Sequence, residues 1–186
     1  MALSVMYLHG LESGPNAGKA RRLREAGEGR RFAVTAPALP TDGVIEARGV
    51  SPEALDRAMA PAVAAARAAY LAARPDVVVG SSFGGAVLLH LVHDPVWRPE
   101  SAALFLAHAG LKLTRHRALP GGLRAVIAHG VHDAVIDFDD ARNLAATQPD
   151  AVLVALNDDH RLSASMARGL IESLVELAHS LALVAP

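Results

Sequence analysis

Six short apolar runs punctuate the chain, at Leu3–Leu8, Phe32–Thr35, Val77–Val79, Ala102–Ala107, Ala125–Ala128 and Val152–Leu156. They are largely continuous rather than strictly alternating, the pattern of strands buried on both faces of a parallel sheet. Between them, apolar positions recur at helical spacing. Asn16 to Ala26 is one such stretch. Ser51-Pro52-Glu53 opens the next, with Ser as N-cap, Pro at the first helical position and an acid in the first turn. Leu55, Met59, Ala62, Ala66 and Tyr70 then share one helix face, and Arg74-Pro75 ends it. Further helices are predicted from Gly84 to His93, from Asp137 through Thr147 with Asp139 and Asp140 at the positive end, and from Ser163 to about Leu183. Strand and helix alternate about six times, which predicts an α/β fold of about six mostly parallel strands flanked by helices. No repeat, low-complexity tract or linker divides the chain, so residues 1–186 are expected to form a single domain.

In such sheets ligands sit at the carboxyl ends of the strands. The residues just after each run are therefore the candidates: His9-Gly10-Leu11, Pro37–Pro40, Ser82, His108, Asp133 and His160. The stretch from Val77 to Leu89 is the most informative. Gly80-Ser81-Ser82-Phe83-Gly84 fits the G-x-S-x-G nucleophile elbow, a sharp strand-to-helix turn that lifts a serine hydroxyl to a helix N-terminus. Gly80 and Gly84 have a steric job, because a serine forced into an unfavourable backbone conformation tolerates no Cβ close on either side. Only Ser82 has glycine at both −2 and +2. A motif this short also arises by chance, and the alternative is a tight glycine turn without chemistry.

The ends of the fifth and sixth runs favour the first reading. They carry His129-Gly130-Val131-His132-Asp133 and Asn157-Asp158-Asp159-His160. A nucleophilic serine needs a base and an acid to orient that base. Asp133 and His160 fall on the same sheet edge as Ser82, in the order Ser, Asp, His expected of a strand–turn–helix nucleophile. Two backbone N–H groups are needed for an oxyanion. Phe83 supplies one and Leu11 the other, with Gly10 letting that backbone come close and His9 beside it. The remaining candidates have plainer explanations. His132 reads as a loop residue, Asp137 as a helix cap, Asp158 and Asp159 as turn residues, and His90 and His93 as ordinary helix residues. The cluster Lys19–Arg24 reads as a solvated helix face.

Composition narrows the picture. Lys and Arg number 18 against 19 Asp and Glu, a net charge of −1, which argues against nucleic acid as a partner. Hydrophobic residues make up 52% but aromatics only 4%, so the core must be built from Ala, Val and Leu. Cysteine is absent, which removes thiolate nucleophiles and Cys-ligated metals. No H-E-x-x-H or other tight ligand spacing suggests a metal, and Gly80–Gly85 is not a dinucleotide fingerprint, so no cofactor is expected. No apolar run has the length of a membrane span. The N-terminus lacks a basic stretch and reads as a first strand, from which a cytoplasmic location is expected.

Tyr7-Leu8-His9-Gly10-Leu11-Glu12-Ser13-Gly14-Pro15-Asn16, with Lys19-Ala20 following, resembles the opening of small bacterial YqiA-type esterases of the α/β-hydrolase superfamily. Gly80–Gly85, His129–Asp133 and Asp159-His160-Arg161 match the same pattern. The resemblance implies a compact, lid-less α/β-hydrolase with carboxylic-ester hydrolase activity, and Ser82, Asp133 and His160 in the triad roles. The connection His108–Gly122 is too short for the lid domain that larger members insert there. The expected function is cleavage of a small carboxylic ester through an acyl-enzyme. A thioesterase or small-peptide hydrolase with the same triad, and a hydrolase-fold module that binds without chemistry, are the alternatives.

Overall fold

The computed structural model describes residues 2–16, 18–30 and 32–184. In chain order the elements are β1 (Leu3–Leu8), α1 (Gly18–Arg30), β2 (Phe32–Thr35), α2 (Val44–Ala47), α3 (Pro52–Ala73), β3 (Val77–Ser81) and α4 (Phe83–Val92). There follow β4 (Ala102–Leu106), α5 (Gly110–Leu113), β5 (Ala125–Gly130), α6 (Phe138–Ala145), β6 (Val152–Leu156), α7 (Ser163–Ala167) and α8 (Leu170–Leu183). The six strands form one sheet in the order β2-β1-β3-β4-β5-β6, and every neighbouring pair is parallel. The strand order reverses between β1 and β3, which opens a crevice at their carboxyl ends.

The period-2 alternation of the strands divides the core between the two faces of the sheet. Met6, Leu8, Val78, Phe105 and Ile127 meet Met59, Tyr70, Leu88 and Leu144 of α3, α4 and α6. Val5, Tyr7, Val79, Leu104 and Val126 meet Leu23, Ile171, Leu174 and Val175 of α1 and α8. Every residue of β3, β4 and β5 is buried, as their unbroken apolar runs require. Helix α3 begins as its sequence dictates: the Ser51 side chain accepts from the Ala54 N–H at 3.1 Å and Pro52 occupies the first turn. Asp137 likewise caps α6, accepting from Asp139 N–H at 2.9 Å.

Three expectations need correction. The C-terminal segment is two helices rather than one. Gly169 takes a left-handed φ of 72°, which ends α7 and restarts the chain as α8 in a new direction. The break leaves α7 at the sheet edge while α8 lays Ile171, Leu174, Val175 and Ala178 on the sheet face. Asn16 lies in a turn rather than in helix α1, which passes Ala26 to reach Arg30, carried on by its packing against β2. The single-turn helices α2 and α5 lie where only loops were expected, and no long period could have announced them.

Candidate active site

Ser82 is where β3 turns into α4, with φ 53° and ψ −116°, a conformation that costs about 1–3 kcal/mol and persists only when surroundings hold it. They do. Its N–H donates to the Leu106 carbonyl at 3.0 Å, and its own carbonyl accepts from Gly85 at 2.9 Å and Ala109 at 3.0 Å. The glycines allow the turn to close. A Cβ on Gly80 would lie 2.6 Å from the Gly84 carbonyl oxygen, and one on Gly84 would run into the backbone of Leu8 and His9. The elbow is thus seated directly on the end of β1.

That seating brings the β1 loop beside the serine: a Cβ on Gly10 would be 3.6 Å from Ser82 Cβ. His9, 3% exposed, braces the loop. Its Nε2 accepts the Leu39 N–H at 3.0 Å, so the proton sits on Nδ1 and is donated to the Gly10 carbonyl at 2.9 Å. The Leu11 and Phe83 N–H groups have no acceptor among the described residues. Phe83, the residue after Ser82, opens α4 and so lies at its positive end.

Asp133 and His160 come together because the β5 and β6 loops touch. A Cβ on Gly130 would collide with the Asp158 carbonyl, and the His132 N–H donates to that carbonyl at 3.1 Å. Asp158 stiffens the second loop, its carboxylate accepting from Asp159 N–H at 2.9 Å and Ser165 N–H at 2.7 Å. His160 Nδ1 donates to Asp133 Oδ2 at 2.7 Å, and His160 Nε2 faces Ser82 Oγ at 3.0 Å. Asp133 Oδ1 accepts from Val135 and Ile136 N–H at 2.8 and 2.9 Å. Burial by itself would push the Asp133 carboxyl up, but the Ile136 N–H, the His160 ring and the Val135 N–H together hold it below the ordinary range. Asp133 stays ionised, and His160 keeps one proton facing it. The Asp133 side chain is fully buried, that of His160 is 20% exposed, and Ser82 is partly open to solvent.

The structure gathers Ser82, Asp133, His160, Leu11, Phe83, His9, Gly10, Gly80 and Gly84 at one edge of the sheet. His132 remains a loop residue, bonded to Asn157 at 2.9 Å. Other readings change. Lys19 is half-buried rather than simply solvated; burial pushes its ammonium down, against the pull of Asp159, Asp158 and Asp133. His90 lies in α4 and His93 caps it, and the His116 ring stacks on His93 at 4.0 Å and meets His90 edge-on at 4.9 Å. Among the described residues no cluster of His, Asp and Glu could hold a metal. Sequence reasoning overlooked His129, whose Nε2 lies 3.0 Å from Asp133 Oδ2 with both side chains fully buried. Its only signal was a histidine four residues before the acid.

The architecture is the α/β-hydrolase fold. No family model matches the chain, and no curated protein matches it. Solved structures do. A candidate hydrolase of the alpha/beta superfamily from Xanthomonas campestris pv. campestris superposes with a TM-score of 0.71 at 22% identity, covering 97% of this chain and 99% of that one. The esterase domain of a Rhodothermus marinus protein gives 0.62 at 16% identity, over 96% and 86% of the two chains. A serine hydrolase from the polyaromatic-hydrocarbon-degrading bacterium Cycloclasticus zankles gives 0.65 at 15%, over 98% and 92%. Among the described residues no helix is long and apolar enough to cross a membrane.

Proposed function

We propose that this protein is a serine hydrolase that cleaves a small carboxylic ester. One observation carries the reading: the continuous line of hydrogen bonds from Ser82 Oγ to His160 Nε2 at 3.0 Å and from His160 Nδ1 to Asp133 Oδ2 at 2.7 Å. In this mechanism Ser82 Oγ attacks the acyl carbon while His160 takes its proton. The carbonyl oxygen becomes an oxyanion and accepts from the Leu11 and Phe83 N–H groups. His160 passes the proton to the departing alkoxide, leaving an acyl-Ser82 and a free alcohol. Water, deprotonated by His160, releases the acid and restores Ser82. Asp133 holds the imidazole in its Nδ1–H tautomer and stabilises the imidazolium.

The site's openness supports a small substrate. Leu39 and Val44 of the 37–50 segment turn into the core, while Ile45 and Val50 face solvent at 57% and 69% exposure. A groove of about 560 Å³ beside Val50, Leu55, Lys112 and Arg115 is not lined by Ser82 or His160. Within the class, the segments at Tyr7–Asn16, Gly80–Gly85, His129–Asp133 and Asp159–Arg161 support a small YqiA-type esterase, with residues 1–186 as one domain. A fluorophosphonate probe tests the reading. It is expected to label Ser82, and Ser82→Ala should lower turnover on p-nitrophenyl acetate by on the order of 10⁶. An unlabelled protein, or a Ser82→Ala variant within tenfold of the parent, would favour a module that binds without chemistry.

A further inference from the structure

Asp133 serves two histidines. His129, the fifth residue of β5, is fully buried and points its Nε2 at two acceptors, Asp133 Oδ2 and the Ile136 carbonyl, each at 3.0 Å. A nitrogen facing only acceptors must carry the proton, so His129 donates from Nε2 to the Ile136 carbonyl, with Asp133 Oδ2 in close polar contact with the same nitrogen. Asp133 Oδ2 then receives the His160 N–H at 2.7 Å and has His129 Nε2 beside it at 3.0 Å, while Oδ1 receives the Val135 and Ile136 N–H groups.

We propose that His129 is a positioning residue for the reaction, holding the Asp133 carboxylate in the plane that His160 needs and sharing its negative charge. The proposal rests on the serine hydrolase reading above. Its physical basis is where each group is mounted. Asp133 sits in a loop whose Val131, His132, Ala134 and Val135 are exposed. The two backbone donors at Oδ1 belong to that same loop, so they fix one oxygen relative to the loop itself. His129 belongs to the central sheet and ties the other oxygen to it. The tie therefore orients the acid against the rigid part of the molecule.

The surroundings of His129 fit this role. Phe138 covers one side at 6.0 Å between ring centroids, and His108 meets it edge-on at 6.1 Å. His108 Nδ1 accepts the Gly110 N–H at 3.2 Å, which leaves its proton on Nε2. Burial, with a smaller contribution from His129, pushes His108 down to about 3, so it stays neutral. Asp133 is thus the acid that faces His129, and among the described residues no lysine or arginine lies at ion-pair distance from it.

A histidine that merely fills the core makes a different prediction, and three variants separate the two. His129→Leu keeps bulk but removes the donor. His129→Gln keeps an N–H near the position of Nε2. His129→Asn places its N–H too short to reach Oδ2. For each, kcat, KM and the pH profile of kcat/KM on p-nitrophenyl acetate would be measured beside the melting temperature. Losing the polar N–H held against the charged carboxylate should lower kcat roughly 10- to 100-fold in His129→Leu, with KM changed little. An undivided Asp133 charge should also stabilise the His160 imidazolium, moving the acid limb up by about half a pH unit or more. His129→Gln should recover most of the lost activity and return the limb toward the parent's position; His129→Asn should behave like His129→Leu. If His129→Leu does not fold, the Gln and Asn pair carries the same comparison. Loss of activity with an unmoved limb, or a Gln variant no better than Asn, would overturn the proposal. Fluorophosphonate labelling of the parent comes first: an unlabelled Ser82 defeats the hydrolase reading itself, whereas a labelled Ser82 with an unmoved limb defeats only the role of His129.

Discussion

Gly130→Ala tests how the acid and the base are brought together. Gly130 ends β5 where the Asp158–Asp159 backbone passes overhead. An added Cβ would lie 2.7 Å from the Asp159 carbonyl oxygen and closer still to that of Asp158, whereas ordinary contacts begin at 3.4 Å. These are backbone atoms, so no side chain can swing aside. The two loops must part by about 0.7 Å or more, an overpacking cost of about 1–3 kcal/mol. For a chain of this size that lowers the melting temperature by roughly 2–12 °C. The larger effect falls on activity. Asp133 lies on one of these loops and His160 on the other, joined by a 2.7 Å bond. A displacement approaching 1 Å at a reacting constellation can cost about 10² in rate. We expect kcat on p-nitrophenyl acetate to fall about 100-fold with the protein still folded. Gly121→Ala is the control, because nothing lies within 4 Å of its Cβ position and the residue is exposed. A Gly130→Ala protein that melts lower but retains the parent's kcat would refute the idea that this close approach sets the Asp133–His160 geometry.

The acid is tested by Asp133→Asn, which should cost on the order of 10⁴ in kcat by favouring the wrong His160 tautomer, while Asp137→Asn, which loses only a helix cap, should cost far less; the reverse ranking would move the acid to Asp137. The same variant reports on stability. The Asp133 carboxyl is held below its unfolded value of about 3.9, so its contribution is present above that pH and disappears as pH falls through the folded value. Urea midpoints of parent and Asp133→Asn should therefore differ at pH 6 and converge as the pH falls below about 4; a gap that widens in acid would contradict the direction of the shift. For acyl length, a deep apolar groove would favour each added methylene by roughly fourfold, from about 0.8 kcal/mol apiece. The outward-facing Ile45 and Val50 offer no such groove, so kcat/KM on p-nitrophenyl esters should peak between acetyl and butyryl and decline by octanoyl. A rate still climbing at octanoyl would mean that the 37–50 segment covers the site.

What could be read in advance were features whose cause is local. The apolar runs announced strands because a strand buried on both faces has no polar position to spare, and the β3, β4 and β5 runs are fully buried. Ser51-Pro52 and Asp137 announced helix starts because capping involves only the next few residues. Gly80 to Gly84 announced the elbow because the turn's steric demands fall within five residues. The tertiary structure decided whatever depends on partners distant in the chain. Period-2 alternation assigns His129 to the same sheet face as Ala125 and Ile127, but only the packed β5 loop shows that its ring meets Asp133. Lys19 looks like any surface cation until the β6 loop, 140 residues later, settles against it. A histidine is equally at home in a core, in a stack such as His93 on His116, or in a reacting constellation. Which of these it enters is set by the groups that folding brings to its two ring nitrogens, and no spacing along the chain specifies them.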